Sequence, residues 1–268
     1  MNYIQLNITA KEEEQEQLIS ILSELSATGF EQTESNLLAY FEEENFPGSD
    51  VNNYLREYTF QKIIIKEQNW NQVWESNFQP VIVDNFCAIR ADFHQPIMHV
   101  QHEIIITPKM SFGTGHHATT YMMIEHMQYI NFTNKEVLDF GTGTGILAIL
   151  AEKLGAAGII AIDNDEWSFK NAKENTQKNS CTKIDVQLSS VLPGKKFDVI
   201  LANINKNILL KYITYLESIV KENSILLLSG LLQDDKQDII EAYTQNNFKL
   251  QSEKVRANWL SLLFINSK

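Results

Sequence analysis

The sequence predicts an α/β chain in which a doubly wound, mostly parallel sheet follows a small α+β domain. Three patterns carry this. From Glu136 onward, apolar stretches of strand length alternate with stretches of helical spacing, as expected for parallel strands joined by helices on both faces. The last two strand patterns, Phe248–Lys254 and Trp259–Ile265, are separated only by a short turn, so they must pair antiparallel. Before all of these, the order strand, helix, two strands, helix, strand runs to about residue 67, which is the split βαβ arrangement of a ferredoxin-like domain.

Taken in order, Tyr3–Ile8 alternates in polarity, and Glu12–Ser26 sets Leu18, Ile21, Leu22 and Leu25 at helical spacing. Gly29–Thr33 and Asn36–Glu42 read as a hairpin, Val51–Tyr58 as a second helix, and Lys62–Glu67, with Ile63-Ile64-Ile65, as the closing strand. Trp70 and Trp74 stand four apart, on one face of a helix, and read as a hydrophobic clamp between domains. The expected division is therefore a domain over 1–67, a linking helix over 68–80 and a large domain over 81–268. Short strands are expected at Val81–Val83, Phe86–Arg90 and Glu103–Thr107. The parallel strands are Glu136–Phe140, Ile159–Ile162, Ile184–Leu188, Phe197–Ala202 and Ser224–Leu228. Between them lie helices at Ile146–Leu154, Glu166–Asn179, Asn207–Ile219 and Asp234–Gln245.

Composition narrows the class. With 44% hydrophobic and 21% charged residues, the chain is an ordinary globular protein and not a disordered or low-complexity one. No apolar run approaches the roughly 20 residues that span a bilayer, and Met1-Asn2-Tyr3-Ile4-Gln5 lacks the basic-then-apolar order of a signal peptide. Cys87 and Cys181 are far apart, with no CxxC pair. A cytoplasmic protein without membrane contact is expected. The formal charge of −12 argues against a direct grip on nucleic-acid phosphates. An acidic surface tolerates a basic partner, although plain solubility explains it more simply.

The chemistry concentrates at Asp139-Phe140-Gly141-Thr142-Gly143-Thr144-Gly145-Ile146. An apolar strand runs into three alternate glycines and then into a helix, whose first N–H groups are free to meet a ligand. The next strand ends at Asp163, where a carboxylate can accept the hydroxyl protons of an adenosine ribose. A dinucleotide fingerprint would want its third glycine at Ile146, so a nicotinamide dehydrogenase fits less well. Strand, turn, helix and acidic residue together mark an adenosine-cofactor pocket, with Gly141, Gly143, Gly145 and Asp163 as candidates.

The fourth parallel strand ends in Ala202-Asn203-Ile204-Asn205. Ligands sit at the carboxyl ends of such strands, and there Asn203, with the Ala202 carbonyl, can accept hydrogen bonds from an amino group. The plainer role is a cap for the following helix. A second loop, Met110-Ser111-Phe112-Gly113-Thr114-Gly115-His116-His117-Ala118-Thr119-Thr120, precedes the sheet. Thr119 and Thr120 could simply cap a helix through Met127. The adjacent His116-His117 lack further ligands at metal spacing, and no metal site is expected.

These segments, together with Asn69-Trp70, Trp74, Phe78 and Pro80, resemble the methyltransferase family of ribosomal protein L-eleven (L11), called PrmA. The resemblance covers essentially the whole chain. It implies a seven-stranded Rossmann-like, S-adenosylmethionine-dependent methyltransferase sheet with a small N-terminal ferredoxin-like α+β domain that recognises the substrate protein. It implies S-adenosylmethionine as cofactor, held at Thr120, Gly141, Asp163 and Asn203. Phe112 and His117 match loop positions near the cofactor and target amine, so Asn203, His117 and Phe112 are the catalytic candidates. Phe112 could face the methyl-bearing cation. The implied reaction is methylation of lysine ε-amines and the α-amine of ribosomal protein L11 by a monomer. Departures are small: Ser111 stands where alanine is common and Thr142 where cysteine is common. A methyltransferase for an amine of RNA or of a small molecule would share every cofactor residue, and a non-enzymatic binding module is the third reading.

Overall fold

In the computed structural model, residues 2–65, 78–109 and 113–267 are described. The chain divides into two compact units at Asn77/Phe78. Trp70, Trp74 and Phe112 lie outside the described residues.

The first unit is an antiparallel sheet with helices in its crossovers. Its strands are β1 (Tyr3–Thr9), β2 (Gly29–Gln32), β3 (Asn36–Glu42) and β4 (Phe60–Ile65), and its helices α1 (Glu12–Glu24) and α2 (Gly48–Tyr54). The strand order is β2-β3-β1-β4, with every neighbouring pair antiparallel; this is the ferredoxin-like order. Alternation in β1 and β3 turns Ile4, Leu6, Ile8, Leu37, Ala39 and Phe41 inward, where they meet Leu18 and Leu22 of α1. Glu12, Glu13 and Glu14 fill the first turn of α1 and complement its positive end. Helix α2 starts at Gly48, earlier than the apolar spacing suggests, because Pro47 takes the N-cap position and its carbonyl accepts from Asp50 and Val51.

The second unit opens with a three-stranded sheet of β5 (Val81–Val83), β6 (Cys87–Ala91) and β7 (His102–Ile106), in that order. Helix α3 (Ala118–Met127) follows. The main sheet holds β8 (Glu136–Phe140), β9 (Gly158–Asp163), β10 (Ile184–Leu188), β11 (Phe197–Asn203), β12 (Val220–Leu232), β13 (Phe248–Arg256) and β14 (Trp259–Asn266). Its order is β10-β9-β8-β11-β12-β14-β13. Strands β8 to β12 pair in parallel and β14 runs antiparallel to both neighbours, so the expected terminal hairpin is present. The order reverses direction beside β8, where β8 and β11 are neighbours. That is the point at which the carboxyl ends of strands leave a crevice.

Helices α4 (Ile146–Lys153), α5 (Glu166–Lys178), α6 (Lys206–Ser218) and α7 (Lys236–Gln245) complete the crossovers. One side of the sheet packs Ile146, Ala148, Ile149 and Leu150 of α4 with Met123 and Met127 of α3. The other packs Leu209, Leu216, Ile239 and Tyr243 against Phe197, Phe248 and Phe264. The Tyr243 hydroxyl donates to the Leu209 carbonyl at 3.0 Å, which satisfies the polar tip of a buried ring. Strand β12 is far longer than the apolar run at its centre, and its register against β14 slips between Leu228 and Leu231. Among the described residues, no helix is long and apolar enough to cross a membrane.

His126, on the buried face of α3, has an Nε2 without a partner. Burial, with the Lys254 ammonium acting in the same sense and a backbone hydrogen bond at Ser261 opposing, pushes this imidazole down to about 4. An unfolded histidine titrates near ~6.5, so the unfolded chain takes the proton first as the pH falls. Stability is therefore full above ~6.5 and declines as pH falls toward the folded value of about 4, an effect of about 3 kcal/mol in all. Urea midpoints measured across this range should fall in the native protein, and His126→Gln should flatten that fall. An unchanged slope in the variant would reject the assignment.

Candidate active site

The crevice is built from the ends of β8, β9 and β11. After β8 the chain turns through Gly141, Gly143 and Gly145, with φ of +75°, +55° and +83°, a region that residues with a Cβ occupy at a cost. A Cβ on Gly141 would come within 2.3 Å of Ile204 Cγ2, so the bare backbone is what lets the β8 and β11 loops meet. The N–H groups of Gly141 and Thr142 donate to the Ile162 carbonyl at 2.9 and 3.0 Å. Gly145 plays another part. It is the N-cap residue of α4, and a Cβ there would lie 3.3 Å from Ala172 on α5. It closes the packing of two helices and is not among the residues lining the cavity.

Asp163 orients the loop from β9. Its Oδ2 accepts from Gly143 N–H at 2.9 Å and its Oδ1 from Asp165 N–H at 3.0 Å. Each carboxylate oxygen can accept a further donor, and Asp163 lines the cavity. Behind the loop, Asp139 is fully buried and accepts from Thr142 Oγ1 at 2.5 Å. Burial pushes its carboxyl up to about 7, with the Asp163 charge adding to the rise and the Thr142 bond opposing it. The threonine at 142 thus supplies the hydroxyl that Asp139 uses.

Asn203 is the last residue of β11. Its Nδ2 donates to Thr120 Oγ1 at 3.2 Å, while its Oδ1 is buried without a donor. The capping role falls to Asn205, whose Oδ1 accepts from Ile208 N–H at 3.1 Å. Likewise His117, not Thr119 or Thr120, caps α3: its Nδ1 accepts from Thr119 N–H at 3.4 Å and is 2.8 Å from Thr119 Oγ1. The two plainer capping readings fail for one cause. The cap is the residue in extended conformation just outside the helix, and Asn203 is still paired in its strand.

Two wide cavities share Asn203 in their lining. The larger, about 570 Å³, is lined by Gly141, Gly143, Asp163, Ser189 and Asn203, among others. The smaller, about 250 Å³, lies between His117, Asn203, Gly230 and Trp259. The rings of His117 and Trp259 stand edge to face with centroids 4.6 Å apart. His116 takes no part, since its ring nitrogens face the Gln79 carbonyl at 2.9 Å and Thr114 Oγ1 at 3.1 Å. Among the described residues, no group of three His, Cys, Asp or Glu side chains converges as a metal site would require.

The structure therefore places Gly141, Gly143 and Asp163 at the larger cavity, His117 at the smaller, Asn203 at both and Thr120 in contact with Asn203, and sends Gly145 into helix packing. Sequence reasoning passed over Gly230 and Trp259. Gly230 interrupts the strand run at the register slip in β12, with φ +83°, and a lone glycine in a strand pattern is the signal it left. Trp259 gave no sign beyond its place after a turn.

The family model described as Ribosomal protein L11 methyltransferase (PrmA) matches residues 31–267. The chain belongs to that family. A ribosomal protein L11 methyltransferase of Porphyromonas gingivalis is 37% identical over 91% of this chain and 88% of its own length. One of Chlorobaculum tepidum is 35% identical over 98% and 96% respectively. The solved ribosomal protein L11 methylase of Lactobacillus delbrueckii subsp. bulgaricus superposes with a TM-score of 0.66 at 31% identity, covering 71% of this chain and all of that one. Family and fold agree: the chain is a methyltransferase.

Proposed function

We propose that this protein transfers methyl groups from S-adenosylmethionine to amines of ribosomal protein L11, at lysine side chains and the N-terminus. The observation that carries the reading is the buried, donorless Oδ1 of Asn203, a residue that lines both cavities and whose Nδ2 is held by Thr120. An unpaired buried acceptor costs ~1–3 kcal/mol, and an N–H donor from a bound ligand would relieve it.

The residues present fit the cofactor. Asp163 would take the ribose hydroxyls, and the bare backbone of Gly141 and Gly143 would admit the ligand, with Thr120 and Asn203 closing the far end. S-adenosylmethionine, when bound, supplies a methyl group activated on a sulfonium. The chain's own residues must then present a neutral amine. A lysine of pKa ~10.4 costs about 4–5 kcal/mol to deprotonate at pH 7, and among the described residues the smaller cavity is lined by no carboxylate or lysine, with the His117 imidazole as its one titratable side chain. Asn203 therefore positions the amine rather than deprotonating it, and orientation supplies much of the acceleration. His117 and Trp259 form the wall on which the substrate side chain would lie. In this reading Gly145 shapes the loop without touching the cofactor. Residues 1–67 recognise the substrate protein, Phe112 acts near the target amine, and the enzyme works in the cytoplasm as a monomer.

The test is methyl transfer from labelled S-adenosylmethionine to ribosomal proteins prepared from a strain lacking the gene. Label should appear on L11 alone, in whole-methyl increments by intact-mass spectrometry. Label on RNA or on free amines, with L11 unmarked, would overturn the substrate assignment.

A further inference from the structure

The segment that carries His117 and Thr120 is tied to the glycine loop by side chains distant in sequence. Thr144, buried in the middle of that loop, donates its hydroxyl to the Gly113 carbonyl at 2.6 Å. Gly113 has φ +102°, and a Cβ there would come within 3.0 Å of the same hydroxyl. The Thr144 carbonyl in turn accepts from Asn175 Nδ2 at 2.8 Å, and Asn175 Oδ1 accepts from Thr107 N–H at 2.8 Å. Asn175 is fully buried.

Asn175 is the centre of a ladder. Asn171, Asn175 and Asn179 recur every four residues, on one face of α5. Asn179 meets both polar backbone groups of Ile105, at 3.0 and 2.6 Å, and Asn171 Nδ2 donates to the Thr107 carbonyl at 3.1 Å. Strand β7 lies at the edge of its sheet, so these amides serve its open edge as a further strand would. One helix therefore fixes the chain where it leaves β7, and through Thr144 it fixes the chain again at Gly113. Thr144 also lines the narrow crevice shared by Gly113, Thr120, Gly141 and Asn203, so any shift of the glycine loop acts directly on the Gly113 carbonyl.

We propose that Thr144 and Asn175 are positioning residues that couple occupancy of the glycine loop to the placement of Gly113–Thr120, and so set His117 and Thr120 against Asn203. The inference rests on the reading that this loop holds S-adenosylmethionine. A buried brace would add only stability; a coupling changes what the cofactor does to the segment.

The experiment is hydrogen–deuterium exchange of peptides covering 113–120, with and without S-adenosylmethionine, alongside its binding constant. In the native protein the cofactor should slow exchange in this segment. In Thr144→Val, binding should stay within about threefold while the cofactor-dependent protection is lost and kcat falls roughly tenfold with little change in the KM for cofactor. Thr144→Ser, which keeps the hydroxyl, should restore both. Asn175→Leu should repeat the valine result, and the double variant should be no worse than either alone, as expected for one connected chain. Retained protection in Thr144→Val, or equal loss in the serine and valine variants, overturns the coupling. A native protein that binds no S-adenosylmethionine overturns the cofactor reading and the coupling with it. Binding and protection without L11 methylation overturn only the substrate assignment and support the coupling.

Discussion

Asn203→Leu should lower the rate of methyl transfer by roughly 100-fold or more, the scale set by misplacing a reacting group by about 1 Å. The substitution removes the orphaned buried acceptor and the donor that holds Thr120. The loss should fall mainly on the single-turnover rate at saturating cofactor. Binding of S-adenosylhomocysteine should weaken less, because Asp163, which would take the ribose hydroxyls, and the glycine loop remain. Asn203→Asp separates the two halves of the amide. It keeps an acceptor for the amine but cannot donate to Thr120 Oγ1, and it places a carboxylate in a largely buried site where ionisation is costly. Its rate should lie between those of the native and leucine proteins and should depend on pH more steeply than either. Single-turnover rates and equilibrium binding, measured side by side, decide the matter. Full turnover in Asn203→Leu with normal binding would remove Asn203 from the chemistry.

Much of this site was legible because its parts are local. A strand, three alternate glycines and a helix occupy one short run, and an acidic residue at the end of the next strand follows from the period of a βα unit. The terminal hairpin was equally plain, since no helix fits between Phe248–Arg256 and Trp259–Asn266. The caps were less so. Asn203 and Asn205 are both good capping types, as are Thr119 and Thr120, and composition does not say which residue leaves the strand; backbone conformation does. Asn205 is extended, with φ −67° and ψ 154°, just before its helix. Strand β12 outruns its apolar pattern because Lys221, Glu222 and Asn223 break that run. These are three of its exposed or half-exposed residues, at the end away from the site. What could not be read at all is long-range: Thr144 reaching Gly113 and Asn175 reaching Thr107 join segments 31 and 68 residues apart, and no periodicity encodes such pairs.

Gly230→Ala is expected to be the most damaging single methyl group in the molecule. A Cβ at this position would stand 2.4 Å from the Ile204 carbonyl oxygen, 2.8 Å from its carbon and 3.0 Å from its nitrogen, at a φ of +83°. At Gly141 the first atom met is a side-chain methyl, Ile204 Cγ2, which a rotation about χ1 can move; at Gly230 it is main chain, which cannot turn aside. The left-handed conformation alone costs an alanine ~1–2 kcal/mol, and the clash raises the total to roughly 2–4 kcal/mol, the range of backbone strain at special positions. Relief requires Ile204 to move, and Ile204 is bonded through its N–H to the Ser229 carbonyl at 3.2 Å. Its neighbours in the chain are Asn203, which carries the orphaned acceptor, and Asn205, which caps α6. The methyl group should therefore lower the urea midpoint and the methyl-transfer rate together, although Gly230 lies at the smaller cavity and not at the glycine loop. Gly141→Ala, by contrast, should weaken cofactor binding first, with a smaller loss of stability. Should Gly230→Ala keep both native stability and native turnover, the turn at Ile204 would have slack that its close contacts deny.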